Sequence, residues 1–276
     1  MRYGYHLPQF GRAAVTGGVE RAARHAEELG FDDVWVSDHL VIPSGQPYPA
    51  PYLYDPLVCL TYAAAATTRV GLGTSVLVGP QYPSPLALAN TLASLDNMSG
   101  GRLTVGLGIG WSQAEFEALH APFHHRGARL DEIIDLLRTA WRDDPATHRG
   151  RYYPFADIRL LPKPAHEVPI WVGGTSDAAY ARAFGRGDGY HGIRVAPADA
   201  RALVERVRAS RPEKGFTVSL RVDWTPGRTT DAEMRSARDA YEEAGIQHVL
   251  VAPDRGDLDS WLAGMDAAAR ALEPGR

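Results

Sequence analysis

The chain has 276 residues, a formal net charge of −4, and a composition of 45% hydrophobic and 22% charged residues. Those values belong to a globular chain and exclude a disordered one; the slightly acidic balance argues against a broad basic face for nucleic acid. A single cysteine, Cys59, excludes an internal disulfide and a multi-cysteine metal site.

The longest apolar stretch, residues 57–66, falls far short of the roughly 20 residues that span a bilayer. The first residues lack the apolar core of a secretion signal. A soluble, cytoplasmic protein with no membrane partner is expected.

Strand-like and helix-like segments alternate along the chain. Residues 2–7 form a β-type run closing at Pro8. Residues 19–29 are amphipathic, with Gly30 where a helix C-cap glycine belongs. Residues 33–36 read as a strand running into Ser37, Asp38 and His39. Residues 40–54, rich in Pro, Tyr and Gly, read as a long loop. An alanine-rich helix over 56–67 precedes a β-rich run at 70–78, where Gly71 and Gly73 mark bends or close approach. A helix at 86–98 leads to a strand at 103–107 and then to Gly108, Ile109, Gly110 and Trp111.

In the second half, Leu130, Ile133, Ile134, Leu137 and Trp141 keep helical spacing. Residues 143–168, with prolines at 145, 154, 162 and 164, form an irregular excursion. A strand at 169–172 ends at Gly173 and Gly174. A helix at 176–184, a short strand at 189–193, a helix at 197–209 and a strand at 217–224 follow. Thr230 and Glu233 make a capping-box pair for a helix ending near Gly245. A strand at 248–252 and a helix at 258–272 complete the pattern.

Alternating βα units imply a parallel sheet, and eight of them in about 250 residues is the number of a (β/α)8 TIM barrel. A doubly wound open sheet with two extra units is the rival. No composition shift marks a second domain. Residues 1–276 are therefore read as one barrel domain, with 40–54 and 143–168 as long loops on its active face.

A barrel carries its chemistry at the C-terminal ends of its strands. Those ends hold His6, the Asp38-His39 pair, Thr74 to Val76, Gly108 to Trp111, Gly173 to Ser176, and Arg194. The glycine pair at 173–174 lets backbone approach a ligand, and the helix after it offers N–H groups to a phosphate. The same residues equally make a tight turn with a Ser or Thr N-cap. The glycines at 106, 108 and 110 are not a dinucleotide fingerprint, because G-x-G-x-x-G is absent and the unit is the fourth. They either make room inside the barrel or offer a flat surface to a planar ring, and spacing alone does not choose. Asp38-His39 is an acid/base pair or a turn. His120, His124 and His125 look like a solvated loop. No H-x-H ends the first strand and no H-E-x-x-H occurs, so a metal-dependent hydrolase lacks its ligand spacing and no metal is expected. Neither a nucleophile elbow nor a P-loop is present.

Six segments taken together carry a resemblance: RYGYHLPQFG, GFDDVWVSDHL, RVGLGTSVLV, SGGRLTVGLGIGWSQAEFEAL, RGARLDEIIDLLRTAW and RYYPFADIRLLPKP…VPIWVGGTSDAA. In order and spacing they resemble the luciferase-like superfamily of flavin and deazaflavin oxidoreductases, through nearly the whole chain. The likeness is greatest to members that use the deazaflavin F420, with FMN as the alternative. It implies hydride transfer between F420 and an unidentified organic substrate. The alternative is an FMN-dependent monooxygenase using reduced flavin and O2.

The resemblance also implies particular sites. A non-proline cis peptide at Ser75-Val76 would lie in a bulge of the third strand, beneath the cofactor ring. Asp38 and His39 would face that ring as the catalytic pair. Gly108, Ile109 and Gly110 would give backbone contacts, and Gly173, Gly174 and Thr175 the phosphate turn. Similar F420-dependent sugar-phosphate dehydrogenases carry an acidic glutamate where this chain has Trp111. That departure makes Trp111 a wall of the substrate pocket, with His6 and Tyr52 as further pocket residues. It also keeps open a cofactor-binding protein without turnover. Relatives form dimers through barrel helices, so a homodimer is expected.

Overall fold

Strands that are buried at nearly every position have cover on both faces. The computed structural model supplies it, with helices outside and packed side chains within. It describes residues 1–46, 48–211, 215–225, 227–253 and 256–275; Pro47 of the 40–54 loop lies outside them. In chain order the elements are β1 (Arg2–His6), α1 (Gly18–Glu28), β2 (Asp33–Val36), α2 (Pro56–Ala66), β3 (Gly71–Thr74), β4 (Leu77–Val78), α3 (Pro85–Ser99), β5 (Leu103–Gly108), α4 (Gln113–Ala118) and α5 (Arg126–Arg142). They continue with β6 (Ala146–His148), β7 (Phe155–Ile158), β8 (Ile170–Gly173), α6 (Asp177–Arg186), β9 (Gly189–Ile193), α7 (Pro197–Ser210), β10 (Thr217–Val222), α8 (Asp231–Ala244), β11 (His248–Val251) and α9 (Leu258–Leu272).

The main sheet runs β3-β2-β1-β11-β10-β9-β8-β5-β4, and β3 also pairs with β5. That last pairing, Leu72 opposite Leu103, closes the sheet and excludes the open-sheet rival. Because β3 and β4 are one strand interrupted at Ser75-Val76, the barrel has the eight parallel staves of a TIM barrel.

Local chemistry explains most boundaries. Thr230 and Glu233 form the reciprocal capping box at the start of α8, and Gly245 ends that helix in the left-handed region. Ser84 caps α3 ahead of Pro85, and Gly100 closes it. The helical spacing seen from Leu130 to Trp141 is the buried face of α5. His120, His124 and His125 lie exposed between α4 and α5. Among the described residues no helix is long and apolar enough to cross a membrane.

The excursion at 143–168 joins the end of α5 to the start of β8, so it lies at the N-terminal ends of the staves rather than on the active face expected for it, and it is less irregular than its prolines imply. It contains an antiparallel hairpin, β6 against β7. Glu132 on α5 accepts the backbone N–H groups of Arg151, Tyr152 and Tyr153 between those strands. A long-range carboxylate thus satisfies the turn, which no local sequence pattern encodes.

The barrel interior is filled by unequal partners. Trp35 is buried and stacks on Trp171 and His191 at 5.3 Å each. Gly73 and Gly4 leave the room, since a Cβ on Gly73 would lie 2.3 Å from the Trp35 ring and one on Gly4 would lie 2.7 Å from the Trp35 indole nitrogen. Close approach, rather than a bend, is thus why glycine stands at 73. Gly106 is more constrained still, because a Cβ there would lie 1.9 Å from the Thr74 carbonyl oxygen.

Gly106→Ala should therefore lower stability by about 3 kcal/mol or prevent folding. Gly185→Ala in α6, where a Cβ meets nothing within 4 Å, should be neutral or stabilising by about 0.5–1 kcal/mol. Urea denaturation of the two variants measures both, and equal effects would contradict the packing described.

Candidate active site

The third stave breaks where its backbone turns. The Ser75-Val76 peptide is cis, as the resemblance implied. The break is pinned on both sides. Thr74 Oγ1 donates to the Gly106 carbonyl at 2.8 Å and accepts from the Gly106 N–H at 2.9 Å. The Ser75 N–H donates to the Val36 carbonyl at 2.7 Å. Asp38 Oδ2 accepts from the Val78 N–H at 2.7 Å.

Val76 lies against β5 and β8. A Cβ on Gly108 would come within 2.6 Å of its side chain, and one on Gly173 within 3.0 Å. Gly110, at φ +70°, would clash with Val78 and Phe116. The glycine run after β5 therefore makes room for the broken stave. Asp38, Val76, Gly108 and Gly173 meet at one end of the barrel, with Ile109 half-buried beside them.

Asp38 is 3% exposed. Its Oδ1 is buried without a hydrogen-bond partner among the described residues. Burial pushes its carboxyl up to about 7, the Val78 N–H only partly opposing this. The Tyr82 hydroxyl is buried next to this carboxyl, and burial together with the Asp38 charge pushes its phenol up.

His39 is held differently. Its Nδ1 lies 2.9 and 3.1 Å from the two carboxylate oxygens of Glu115, on α4. Gln46 of the long loop donates to Glu115 Oε1 at 2.7 Å, and Ser112 Oγ donates to Gln46 Oε1 at 2.6 Å. Burial opposes the charge of Glu115, but the hydrogen bonds from His39 and Gln46 outweigh it and hold the carboxyl below its usual range. The carboxylate fixes the proton of His39 on Nδ1 and leaves Nε2 as the exchangeable nitrogen. Trp111 is 59% exposed and meets the His39 ring edge-on at 6.2 Å. That exposure excludes ordinary core packing for the indole.

His6 is 1% exposed. Its Nδ1 donates to the Leu7 carbonyl and its Nε2 accepts from Ser37 Oγ, each at 2.8 Å. Burial pushes this imidazole down to about 3. It sits beneath the open face and supports Ser37. Tyr52 is exposed and packs its ring on Tyr54. Its carbonyl accepts from the Gly11 N–H at 2.8 Å, which ties the long loop to the segment after β1.

At the end of β8, Gly174 has φ +134°, and a Cβ there would lie 2.7 Å from that of Ala179. Ser176 caps α6 through Ala179 N–H. Residues 174–177 are exposed, so the turn offers its backbone to solvent as well as capping the helix.

Residue-by-residue reading does not reach Glu115, Gln46, His191 or Arg221. Glu115 has a signal, Ser112-x-x-Glu115, but that spacing is a capping-box pattern and points to the helix rather than to His39. Arg221 on β10 donates to Ser37 Oγ at 2.8 Å, and His191 on β9 reaches Ser75 Oγ at 2.8 Å. Both are single residues on buried strands, and only the barrel brings them to the bulge.

The luciferase-like monooxygenase family profile matches residues 1–274. An F420-dependent glucose-6-phosphate dehydrogenase from Amycolatopsis mediterranei is 36% identical over 178 residues, 62% of this chain and 51% of that one. The chain thus spans about half the length of that relative. Among solved structures, the monooxygenase RslO1 from Streptomyces bottropensis superposes with a TM-score of 0.83 at 23% identity, covering 99% of both chains. An F420-dependent secondary alcohol dehydrogenase in complex with an F420-acetone adduct gives 0.80 at 20% identity, covering 98% of both. At such identities the two structures establish the fold alone.

The buried Asp38 makes a pH prediction. It holds its proton up to about pH 7 in the fold but only to about pH 4 in the unfolded chain. The folded state binds more protons between those values, so this group's contribution to stability falls as pH rises through that window. Asp38→Asn keeps an acceptor for Val78 without the charge. Its stability relative to the parent protein should grow from about pH 5 to about pH 8 in urea titrations. A pH-independent difference would contradict the protonated Asp38.

Proposed function

The chain belongs to the luciferase-like monooxygenase family, and from that premise we propose that it is an F420-dependent oxidoreductase transferring a hydride between F420 and a small organic substrate. The observation that carries the reading is the paired arrangement at the strand ends: an unpartnered buried Asp38 oxygen beside a His39 whose tautomer Glu115 fixes. The names of relatives supply F420.

The residues fit such a cofactor. Asp38 Oδ1 lacks a donor, the wall formed by Val76, Gly108 and Gly173 has no space for further side chains, and the exposed turn at Gly174 and Thr175 opens the ten-residue helix α6, whose free N–H groups and dipole favour an anion. Asp38, Ser75, Val76 and the glycines at 108 and 110, with Ile109, would hold the ring. Gly173, Gly174 and Thr175 would hold the phosphate. Bound F420 supplies the two-electron carrier. His39 Nε2 takes or gives the proton that accompanies the hydride, and Glu115 keeps that nitrogen free and supports positive charge on the ring. Trp111, beside His39 and exposed, walls the substrate pocket, with Tyr52 on its rim. Because an indole stands where similar sugar-phosphate dehydrogenases carry an acid, the proposal does not extend to glucose 6-phosphate as substrate. A homodimer acting in the cytoplasm completes the reading. Val58 and Tyr62 on α2 and Met98 on α3 are exposed apolar side chains that pairing would cover.

Parallel titrations with F420 and FMN test the cofactor. Tight F420 binding with weak FMN binding is expected; the reverse preference turns the reading to an oxygen-using FMN monooxygenase. His39→Ala should lower turnover about 100-fold and change F420 affinity little. Thr175→Glu, an added charge at an exposed position, should weaken F420 binding about tenfold without loss of stability. Unaltered affinity in Thr175→Glu would remove the phosphate assignment. Light scattering should give the mass of two chains, and Tyr62→Lys should reduce it to one.

A further inference from the structure

The side chain of Gln46 closes a ring of hydrogen bonds whose direction is fixed. Its Nε2 lies 2.7 Å from Glu115 Oε1 and 2.8 Å from the Tyr48 carbonyl oxygen. A carboxylate and a carbonyl only accept, so the amide has one orientation, with Nε2 donating to both. Gln46 Oε1 is then an acceptor, and Ser112 Oγ gives it a proton at 2.6 Å. Ser112 Oγ in turn accepts from the Glu115 backbone N–H at 3.4 Å. The ring thus runs from Ser112 through Gln46 to the Glu115 carboxylate and returns through the Glu115 backbone.

His39 joins this ring at the carboxylate. Its Nδ1 reaches both oxygens, at 2.9 and 3.1 Å. A ring nitrogen facing a carboxylate carries a proton whether the imidazole is neutral or charged, so the contact does not depend on the charge of His39. Reaching both oxygens requires the carboxylate plane to be aimed at the imidazole. The terminal torsion of a glutamate is broad, and Gln46, bonded to one oxygen, fixes it.

Gln46 also bears on the charge. Glu115 is 1% exposed, so bulk water does not replace a missing donor. Asp38 is the comparison within the same site: it is also buried, has the Val78 N–H on one oxygen, and is pushed by burial up to about 7. Burial opposes the charge of Glu115 too, but donors on His39, Gln46 and Gln81 hold its carboxyl below its usual range. Those groups come from three separate places: the end of the second stave, the long loop, and the segment after β4. Of them only His39 can carry a charge.

We propose that Gln46 is a positioning residue that aims the Glu115 carboxylate at His39 and thereby leaves Nε2 of His39 as the nitrogen that exchanges a proton. The exchange itself rests on the oxidoreductase reading above; the control of Glu115 by Gln46 does not.

Three measurements on the protein without added cofactor test it. In ¹³C spectra the Glu115 carboxyl is assigned by its loss in Glu115→Gln. It should titrate at higher pH in Gln46→Met than in the parent protein, because a donor to the charged form is gone. In ring ¹⁵N spectra His39 is assigned by its loss in His39→Gln. Its neutral ring should be Nδ1–H in the parent and move toward Nε2–H, the form free histidine prefers, in Gln46→Met.

Gln46→Glu supplies the third measurement. Two acids then share the site and hold a proton above the ordinary carboxyl range, whereas in the unfolded chain each releases its own near about pH 4. The folded state binds more protons above that value, so the loss of stability relative to the parent should grow as pH rises from about 5 to about 8 in urea titrations. Adding Glu115→Gln restores a donor–acceptor pair and should remove most of that pH dependence. A carboxyl that titrates alike in Gln46→Met and the parent, or a His39 ring unchanged by that substitution, would overturn the proposal and leave Gln46 an anchor of the long loop. A pH-dependent penalty in Gln46→Glu that Glu115→Gln does not relieve would overturn it as well. The three expected results in a protein that binds no F420 would support the role of Gln46 and refute the F420 reading instead.

Discussion

The break in the third stave is the constraint on which the rest of the site depends. A β-strand that turns inside a closed barrel must place its side chains and carbonyls into space already claimed by its neighbours. Here Gly106 yields to the Thr74 carbonyl, and Gly108 and Gly173 yield to Val76. Asp38 then takes the N–H of Val78 just past the break, and Arg221 reaches the Ser75 carbonyl at 3.4 Å. Four strands are thus adapted to one irregularity in a fifth. The same adaptations bring Asp38 and the glycine wall together.

Around the break, burial sorts two carboxylates into opposite states. Asp38 has one N–H donor and an empty second oxygen, so desolvation dominates and the group keeps its proton to about pH 7. Glu115 is also buried, but it receives His39 and Gln46, and those hydrogen bonds outweigh its desolvation and hold the carboxyl below its usual range. A buried acid that favours its neutral form thus lies next to a histidine whose ring a carboxylate orients.

Parts of this were readable in advance and parts were not, for reasons that specific residues show. Thr230-x-x-Glu233 and Ser112-x-x-Glu115 are the same local pattern. The first is a true capping box, closed within four residues. In the second Ser112 still caps the helix, but the glutamate side chain turns away to His39, 76 positions earlier in the chain. Nothing within four residues distinguishes the two; the distinction lies in what packs against α4. The hairpin at 146–158 was hidden in the same way, since its turn is satisfied by Glu132 from a preceding helix.

By itself the sequence determined the alternation of eight strands and helices, the capped helix ends, the long loop at 40–54 and, through the order of its motifs, the family and the positions of Asp38, His39, the Ser75-Val76 peptide and the Gly173 turn. The elements and caps follow from periodicity and from residues whose conformational needs are local, such as glycine at positive φ and serine at an N-cap; the family and the site positions follow instead from the resemblance that the ordered motifs carry. Only the tertiary structure decided that the glycines at 106 and 108 make room for a neighbouring strand, that His6 lies beneath the face, that Trp111 is exposed, and that Glu115, Arg221 and His191 reach His39, Ser37 and Ser75. Each of those depends on contacts between residues tens to hundreds of positions apart, and in a closed barrel such contacts exist only once every stave has found its neighbour.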